Sequence, residues 1–269
     1  MAHFPVTANP LDDPFYYLNN FVQVLDWLEQ RSADVLSVDE QRFIHDFKLL
    51  PRESKALLVR MVMRKGVHFR ASKLHYDEIG DIGSAASPLL QLGWVDERMP
   101  LAVDALFELL LKGEILQTFG PAIDQPKGKK VDWLPALCEQ FPQAQSFNDW
   151  CPSLDDRLFS LTIMQLCDRL RLMFFGNLYQ DWSEFVLADL GIYTYEKVEF
   201  STESRGLRSR EDVDACVLLH AYQQQFEAGE ALEEVAGRIK GLALDNPWLQ
   251  RRRGKLLFQM GQYLSLIHI

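Results

Sequence analysis

The segment Leu58-Val59-Arg60-Met61-Val62-Met63-Arg64-Lys65 combines a run of apolar side chains with cations. It lies inside a basic block, residues 48–73, that contains eight Lys or Arg and a single acid, Glu53. The whole chain of 269 residues has a formal net charge of −10, so positive charge is concentrated in this block. Such segregation predicts a face that binds a polyanion, because clustered Lys and Arg neutralise phosphates and release their counterions.

Apolar periodicity on the N-terminal side of this segment predicts helices. Residues 18–28 place apolar side chains at spacings of three and four, which is typical of an amphipathic helix. Ser37 and Glu40 have the spacing of a capping box that begins a second helix, and Pro51 ends that helix. A third helix is expected directly after Pro51, and it contains the basic segment.

Beyond this third helix the pattern changes. Residues 73–79 predict a short helical segment, and Gly93-Trp94-Val95 predicts a strand. Three helices followed by a short strand are compatible with a winged helix-turn-helix, which we assign to residues 1–98. Arg60 and Arg64, four residues apart, would then share one face of its third helix.

A second helical module is predicted over residues 99–145. Helices over residues 103–111 and 114–119 are followed by a loop rich in Pro, Gly and Lys and by a third helix around Trp133. This layout resembles an SAP domain, a small helical DNA-binding unit in which a Gly-Lys-Lys turn introduces the last helix. In this sequence the turn is Gly128-Lys129-Lys130.

The remaining residues, 146–269, predict further helices, so the expected fold class is mainly α. A long helix is expected to begin at Ser153 and to keep one buried face through several turns. A β-like segment over residues 192–200 interrupts the helices, and later helices are expected to begin after Ser209 and at Pro247. No clean 34-residue repeat is visible in this region.

The sequence lacks the familiar patterns of several catalytic and metal sites. Its four cysteines never fall two to four residues apart, so reduced thiols are expected rather than a zinc knuckle or a redox pair. The histidines form no HxxxH or HExxH pattern, and no Gly-rich phosphate loop or GxSxG motif occurs. The one Glu-x-Lys, Glu53-Ser54-Lys55, falls on a predicted helix directly after a proline. We therefore assign no catalytic and no metal-binding residue within these 269 residues.

Several segments in collinear order closely resemble the front half of the Fanconi-associated nuclease family, bacterial branch. The resemblance covers nearly the whole chain, but it does not include the catalytic end of the family. The segments that carry it are Phe15-Tyr16-Tyr17-Leu18, residues 58–65, Ser72-Lys73-Leu74-His75-Tyr76-Asp77-Glu78-Ile79, residues 101–119, Arg171-Leu172-Met173-Phe174-Phe175-Gly176-Asn177-Leu178, Asp181-Trp182-Ser183-Glu184-Phe185 and Asp245-Asn246-Pro247-Trp248.

The resemblance implies the remaining domain organisation. Residues 146–269 would be the start of a tetratricopeptide-like (TPR-like) helical region, truncated in this chain. The chain would be an N-terminal fragment that lacks the C-terminal nuclease domain, which carries a Val-Arg-Arg (VRR) motif. The final few residues, which are apolar and uncapped, need not belong to the natural protein. Such a fragment is expected to be inactive by itself.

The resemblance also implies a function for the full-length parent. We expect a structure-selective DNA nuclease, of the phosphodiesterase I type, that cleaves near 5′ flaps and proceeds 5′ to 3′ in DNA repair, including repair of interstrand crosslinks. It would use Mg²⁺ or Mn²⁺, and none would be bound by this fragment. Branched or flap DNA is the expected partner, and a dimer on DNA is possible. No apolar run approaches the ~20 residues that cross a bilayer, so no membrane partner is expected and the location would be cytoplasmic, at the bacterial nucleoid.

The candidate phosphate contacts are the cations of the basic block, because the planar fork of arginine can make paired hydrogen bonds to phosphate oxygens. These candidates are Arg60, Arg64, Lys65, Arg70 and Lys73. Lys127, Lys129 and Lys130 are further candidates, since backbone amides at a helix start could meet a phosphate beside them. The alternatives are a solvated helix face for the first set and a flexible basic linker for the second.

Two tyrosines flank the basic block and are candidate DNA contacts. The resemblance implies that aromatic side chains at the positions of Tyr16 and Tyr76 lie close to DNA. A tyrosine can stack on an exposed base or donate a hydrogen bond to a phosphate. The alternative is that both rings are half-buried elements of the core.

Two other classes of function remain open from the sequence. The first is a non-enzymatic winged-helix regulator or adaptor, which would prefer a particular base sequence over a DNA shape. The second is a helical protein-interaction scaffold whose basic face contacts an acidic partner, and it would bind no DNA at physiological salt.

Overall fold

A computed structural model of the chain describes residues 13–182 and 205–267, and its side chains are described up to residue 263. The chain divides into two compact units, Leu50–Met164 and the combination of Met1–Leu49 with Gln165–Ile269. The predicted β-like segment over residues 192–200 lies outside the described residues, as do the last two residues of the chain.

The described elements are mainly helical, as predicted, and are numbered here in chain order. They are α1 (Tyr16–Arg31), α2 (Val38–Leu49), α3 (Arg52–Val62), β1 (His68–Arg70), α4 (Ile82–Gln91), β2 (Val95–Asp96), α5 (Val103–Leu109), α6 (Lys112–Phe119), α7 (Lys130–Gln140), α8 (Phe147–Trp150), β3 (Leu158–Leu161), α9 (Met164–Phe175), α10 (Arg210–Glu227), α11 (Leu232–Lys240) and α12 (Pro247–Ile267). Single turns of 3₁₀ helix occur at Ala71–Lys73 and Gly120–Ala122.

The unit of residues 50–164 is built on α3, which begins directly after Pro51 as predicted. Leu57, Leu58 and Met61 are fully buried, and α4 packs against this helix. Gly66 has a φ of +84°, a left-handed conformation that favours glycine and turns the chain from α3 toward β1. The short helix predicted over residues 73–79 is wrong, because the 3₁₀ turn ends at residue 73 and extended and turn conformations follow.

A three-stranded antiparallel sheet in the order β1-β3-β2 lies beside these helices, with Phe69 opposite Phe159 and Val95 opposite Leu161. The central strand β3 comes from residues that the sequence assigns to a long helix beginning at Ser153, so that prediction is wrong. All four residues of β3 are buried. A strand covered on both faces shows no polar alternation, and its apolar run is therefore easily assigned to a buried helix.

The strand order shows that the first two predicted domains do not simply follow one another along the chain. Because β3 pairs with β1 and β2, helices α5 to α8 are inserted between two strands of one sheet. The predicted domain boundary near residue 146 separates β3 from the sheet that it completes. The inserted helices have a core of their own around Phe107, Phe119, Trp133 and Trp150.

The other unit contains α1, α2 and α9 to α12. The capping box of α2 is confirmed: the Ser37 amide donates to Glu40 Oε2 at 2.9 Å, and the Glu40 amide donates to Ser37 Oγ at 3.2 Å. Ser209 caps α10 and Pro247 begins α12, both as predicted. Helices α10, α11 and α12 pack against one another. The TPR-like assignment of this region stays a prediction.

All four cysteines are free thiols, as expected. None of the described helices is both long enough and apolar enough to cross a bilayer.

Candidate nucleic-acid interface

Three candidate cations form an exposed rim on the unit of residues 50–164. Arg64 and Lys65 follow the end of α3, and Lys73 ends the 3₁₀ turn after β1; all three side chains are exposed. Arg64 and Lys73 line a shallow cleft of about 180 Å³, together with His68 and Glu108. Within residues 13–182 and 205–263, neither Lys65 nor Lys73 forms a salt bridge. The rim can therefore offer its charge to a phosphate.

Arg64 is held in position by aromatic contacts. Its guanidinium lies 5.5 Å from the centroid of the Phe69 ring, and its Nη1 donates to the Tyr76 hydroxyl at 3.3 Å. Ordering this side chain in advance would lower the conformational entropy that binding of a phosphate must remove. A planar guanidinium fixed in this way suits a phosphate, whose oxygens accept paired hydrogen bonds.

Arg60 is compensated by a carboxylate. Its Nε and Nη2 both donate to Glu78 Oε1, at 3.1 and 2.6 Å, and its guanidinium lies 4.9 Å from the centroid of the Tyr76 ring. The half-buried Tyr76 therefore contacts both Arg60 and Arg64. Arg60 can support the position of Tyr76, but part of its charge is neutralised by Glu78. Of the two arginines, Arg64 is the one with the more exposed cationic group.

Arg70 requires a correction. It is only 7% exposed: its Nη1 and Nη2 donate to the two oxygens of Glu114 at 2.6 and 2.7 Å, and its Nε donates to Asp156 at 2.7 Å. Arg70 also lines the cleft, but its guanidinium nitrogens are already engaged by two carboxylates and are not available to a phosphate. Arg70 instead connects β1 to α6 and to the segment before β3, so it joins the sheet to the inserted helices.

The carboxylate partners of Arg70 are held ionised. Hydrogen bonds from Arg70 lower the pKa of Glu114, and they outweigh its partial burial. Burial raises the pKa of Asp156, but hydrogen bonds from Ser72 and Arg70 outweigh it, and the net shift is downward. The Ser72 amide donates to Asp156 Oδ1 at 3.0 Å. This link fixes the 3₁₀ turn that carries Lys73.

The loop of the SAP-like module presents two exposed lysines, Lys127 and Lys129. Between them lies Gly128, where a Cβ atom would approach both Gln125 O and Trp133 Nε1 to 3.1 Å. Lys112 Nζ donates to the Gly128 carbonyl at 2.6 Å, and Trp133 Nε1 donates to Gln125 O at 3.1 Å. The loop is therefore tied to the module at both sides and is not a free basic linker.

Lys130 also requires a correction. Its Nζ donates to the carbonyls of Phe107 and Leu110, the latter at 2.8 Å. These carbonyls lie at the C-terminal end of α5, where helix carbonyls have no intrahelical partner. The ammonium group of Lys130 therefore caps α5, and its charge is directed into the module rather than toward solvent.

Tyr16 lies in the other unit and begins α1. Its ring is half-buried and meets the Tyr17 ring edge to face, with centroids 5.7 Å apart. Its proximity to DNA stays a prediction.

The residues that sequence reasoning missed are the carboxylates. Glu78, Glu114 and Asp156 lie 18, 44 and 86 residues from the arginines that they contact. Only Glu114 gives a local signal, because its carboxylate also accepts from the Leu111 amide and so caps α6. Nothing in the sequence near Asp156 indicates that it would lie beside Arg70.

The described residues do not fit a catalytic metal centre. In the part of the chain that the structure describes, no three His, Cys, Asp or Glu side chains lie close enough together to hold a metal ion. No catalytic step through a metal can be derived from these residues.

Family models match two adjacent parts of the chain. Residues 15–96 match the model described as "FAN1, HTH domain", and residues 100–150 match the model described as "Fanconi anemia-associated nuclease SAP domain". Both matches agree with the kinds of domain that the sequence predicts for these regions.

Relatives and solved structures extend the similarity to almost the whole chain. A protein from Pseudomonas aeruginosa named Fanconi-associated nuclease 1 homolog is 51% identical over 97% of this chain and 47% of its own length. A homolog of the same name from Oryza sativa subsp. japonica is 26% identical over 81% of this chain and 23% of its own. A crystal structure of paFAN1 bound to DNA with a 2-nt 5′ flap and a gap superposes with a TM-score of 0.90 at 50% identity, covering 97% of this chain and 48% of that one. The chain thus spans half or less of the length of the relatives that it matches.

Proposed function

The chain belongs to the Fanconi-associated nuclease family, and from that premise we propose that its helix-turn-helix and SAP regions bind branched DNA carrying a 5′ flap. The observation that carries the proposal is the exposed rim of Arg64, Lys65 and Lys73 within the helix-turn-helix match. A relative 50% identical to this chain has been crystallised with a 5′-flap DNA, which supports the same class of ligand here.

Recognition would depend on the shape of the DNA backbone. The rim and the SAP-like loop with Lys127 and Lys129 belong to one compact unit, Leu50–Met164, so their separation is fixed by the fold. Contacts to phosphates position a protein on DNA but carry no base-sequence information. Two basic sites at a fixed separation would therefore select DNA by geometry, as a structure-selective protein requires.

Arg70 has a positioning role in this scheme. It joins the sheet to the SAP-like helices through Glu114 and Asp156, and Asp156 in turn holds Ser72 beside Lys73. It would set the geometry of the basic sites without contacting DNA.

In the whole protein, this DNA binding would hold the substrate for phosphodiester hydrolysis in DNA repair, including repair of interstrand crosslinks. The metal-dependent step, with Mg²⁺ or Mn²⁺, would belong to residues outside this chain, and the 269 residues by themselves would be inactive. Their task would be to bind the DNA and orient the junction. In a bacterial cell such a protein would act at the nucleoid.

Equilibrium binding of the chain to a 5′-flap DNA, a blunt duplex and a single strand across a salt series tests this function. We expect tighter binding to the flap and a steep decrease of affinity with salt, because each neutralised phosphate releases counterions. Sedimentation of the complex would show whether a dimer forms on the flap. A preference for one base sequence over any junction would instead support a winged-helix regulator, and absence of DNA binding would contradict the proposal.

A further inference from the structure

A second basic element lies outside the block of residues 48–73. Helix α12 carries four cations and no acidic residue, although the chain as a whole is acidic. The cations are Arg251, Arg252, Arg253 and Lys255. None of them belongs to the proposed flap-binding surface, and the unit that contains them is separate from Leu50–Met164.

Arg252 lies beside two aromatic rings. Its guanidinium is 5.7 Å from the centroid of the Tyr179 ring and 5.8 Å from that of the Trp248 ring. Both rings are accessible: Tyr179 is 65% exposed and Trp248 is 39% exposed. Two exposed rings beside one arginine place flat apolar faces next to a cation.

The charge of Arg252 is not cancelled by its hydrogen-bond acceptor. Its Nη1 donates to Cys216 Sγ at 3.2 Å, and burial raises the pKa of that thiol, so the acceptor stays neutral. Within the described residues no carboxylate forms a salt bridge with Arg252. The neighbouring Arg251 and Lys255 are exposed and add to the local positive charge.

The Tyr179 ring and the backbone at Trp248 are also held in place. The Tyr179 hydroxyl donates to Gln223 Oε1 at 3.0 Å, and its ring meets His220 edge to face with centroids 5.8 Å apart. The backbone amide of Trp248 donates to Asn246 Oδ1 at 2.9 Å, which fixes the first turn of α12. Trp248 and Arg252 are four residues apart, so they lie one above the other on the same helix face.

We infer that Tyr179, Trp248, Arg251 and Arg252 form a binding site for single-stranded DNA. Bases of a single strand can stack on exposed aromatic faces, whereas bases in a duplex are already stacked on one another. Arginines beside the rings supply the charge that attracts the phosphates. The positive charge of α12 favours a polyanion over an apolar segment of protein as the occupant.

This site is independent of the proposed flap-binding function. It predicts affinity for an unpaired strand that does not require a junction. Replacing the rim cations Arg64, Lys65 and Lys73 with alanine would weaken duplex and flap binding and leave this site intact. The two ideas can therefore fail separately.

Tryptophan fluorescence of the whole chain tests the site. Trp248 is more exposed than Trp94, Trp133, Trp150 and Trp182, which are buried. Stacking of a base on Trp248 should quench its emission when an oligothymidine is added. In Trp248→Phe that quenching should disappear, while binding measured by the anisotropy of a labelled oligothymidine should persist because a ring remains.

Alanine variants give the energetic test. Tyr179→Ala should weaken oligothymidine binding on the order of tenfold, because one stacking ring is lost. Arg252→Ala should also weaken it on the order of tenfold, because a cation beside the phosphates is lost. Phe258→Ala is the matched control, since Phe258 is 65% exposed on the same helix but ten residues from Trp248, roughly 15 Å along the axis. Circular dichroism of each variant should match that of the wild type.

Three outcomes would overturn the inference. The first is absence of quenching by oligothymidine. The second is an equal decrease of affinity in Tyr179→Ala and in the Phe258→Ala control. The third is a polyglutamate peptide that binds as tightly as the oligothymidine and is insensitive to Tyr179→Ala, which would show that the basic helix accepts any polyanion, including an acidic protein segment.

Discussion

Neighbouring cations of the same basic block take different positions in the fold. Arg64, Lys65 and Lys73 lie on an exposed rim, whereas Arg70, between them in sequence, is buried against Glu114 and Asp156. The local density of positive charge in the sequence does not distinguish Arg70 from the three rim cations. Burial and distant carboxylates separate a cation that can bind DNA from one that holds the fold together.

Removing the buried cation should have the largest effect on the stability of the fold. Arg70→Ala leaves two carboxylates without their cation, and removal of one partner from a buried pair typically costs about 3–5 kcal/mol. We expect a large fall in the free energy of unfolding, measured by urea denaturation. Lys65→Ala is the control, and as an exposed substitution it should change stability by less than about 0.5 kcal/mol. Equal effects of the two variants would show that Arg70 is not a structural cation.

Acid should weaken the same buried cluster without a mutation. Glu114 and Asp156 both have a lowered pKa in the folded chain, so their contribution to stability is fully present above the ordinary carboxylate pKa of about 4. It should disappear progressively as the pH falls from there through the lowered folded values. Urea midpoints measured across this acid range should decrease. The decrease should be shallower in Arg70→Met, and an unchanged slope there would assign the acid sensitivity to other groups.

The loop of the SAP-like module also contains a structural lysine, Lys130, and two exposed lysines, Lys127 and Lys129, and the expected effects are smaller. Lys130→Ala should lower stability by roughly 1 kcal/mol, because two carbonyls at the end of α5 lose their donor. The double variant Lys127→Ala/Lys129→Ala should leave stability unchanged and weaken flap binding. Thermal melts and DNA binding of both variants separate the two roles. A decrease of stability in the double variant and not in Lys130→Ala would reverse the assignment.

Local signals in the sequence were sufficient for most helices. The capping pair Ser37 and Glu40, the Pro51 boundary and Pro247 at the start of α12 are each decided by neighbouring residues, and each prediction is confirmed. The Gly-Lys-Lys turn likewise leads into α7, whose first residue is Lys130. Such features depend on backbone donors and acceptors within one turn, so a single sequence is enough to locate them.

The strand β3 and the role of Arg70 could not be predicted in the same way. Leu158–Leu161 becomes a strand because β1 and β2 flank it, and they lie about 90 and 65 residues earlier in the chain. Arg70 becomes structural because that sheet and α6 bring two carboxylates to it. Both outcomes depend on tertiary contacts, which local propensity does not contain.

The salt dependence of flap-DNA binding tests the central claim, that cations of the block bind DNA where they are exposed and are not paired with a carboxylate. Log K against log salt should be measured for the wild type, for Arg64→Ala/Lys65→Ala/Lys73→Ala and for Lys48→Ala, a lysine of the same block that is paired with Asp26 and Glu29. The slope should fall by about 0.9 for each phosphate that the triple variant no longer neutralises, and it should stay at the wild-type value in Lys48→Ala. An unchanged slope in the triple variant, or a decrease in Lys48→Ala equal to that expected for one rim cation, would contradict the account.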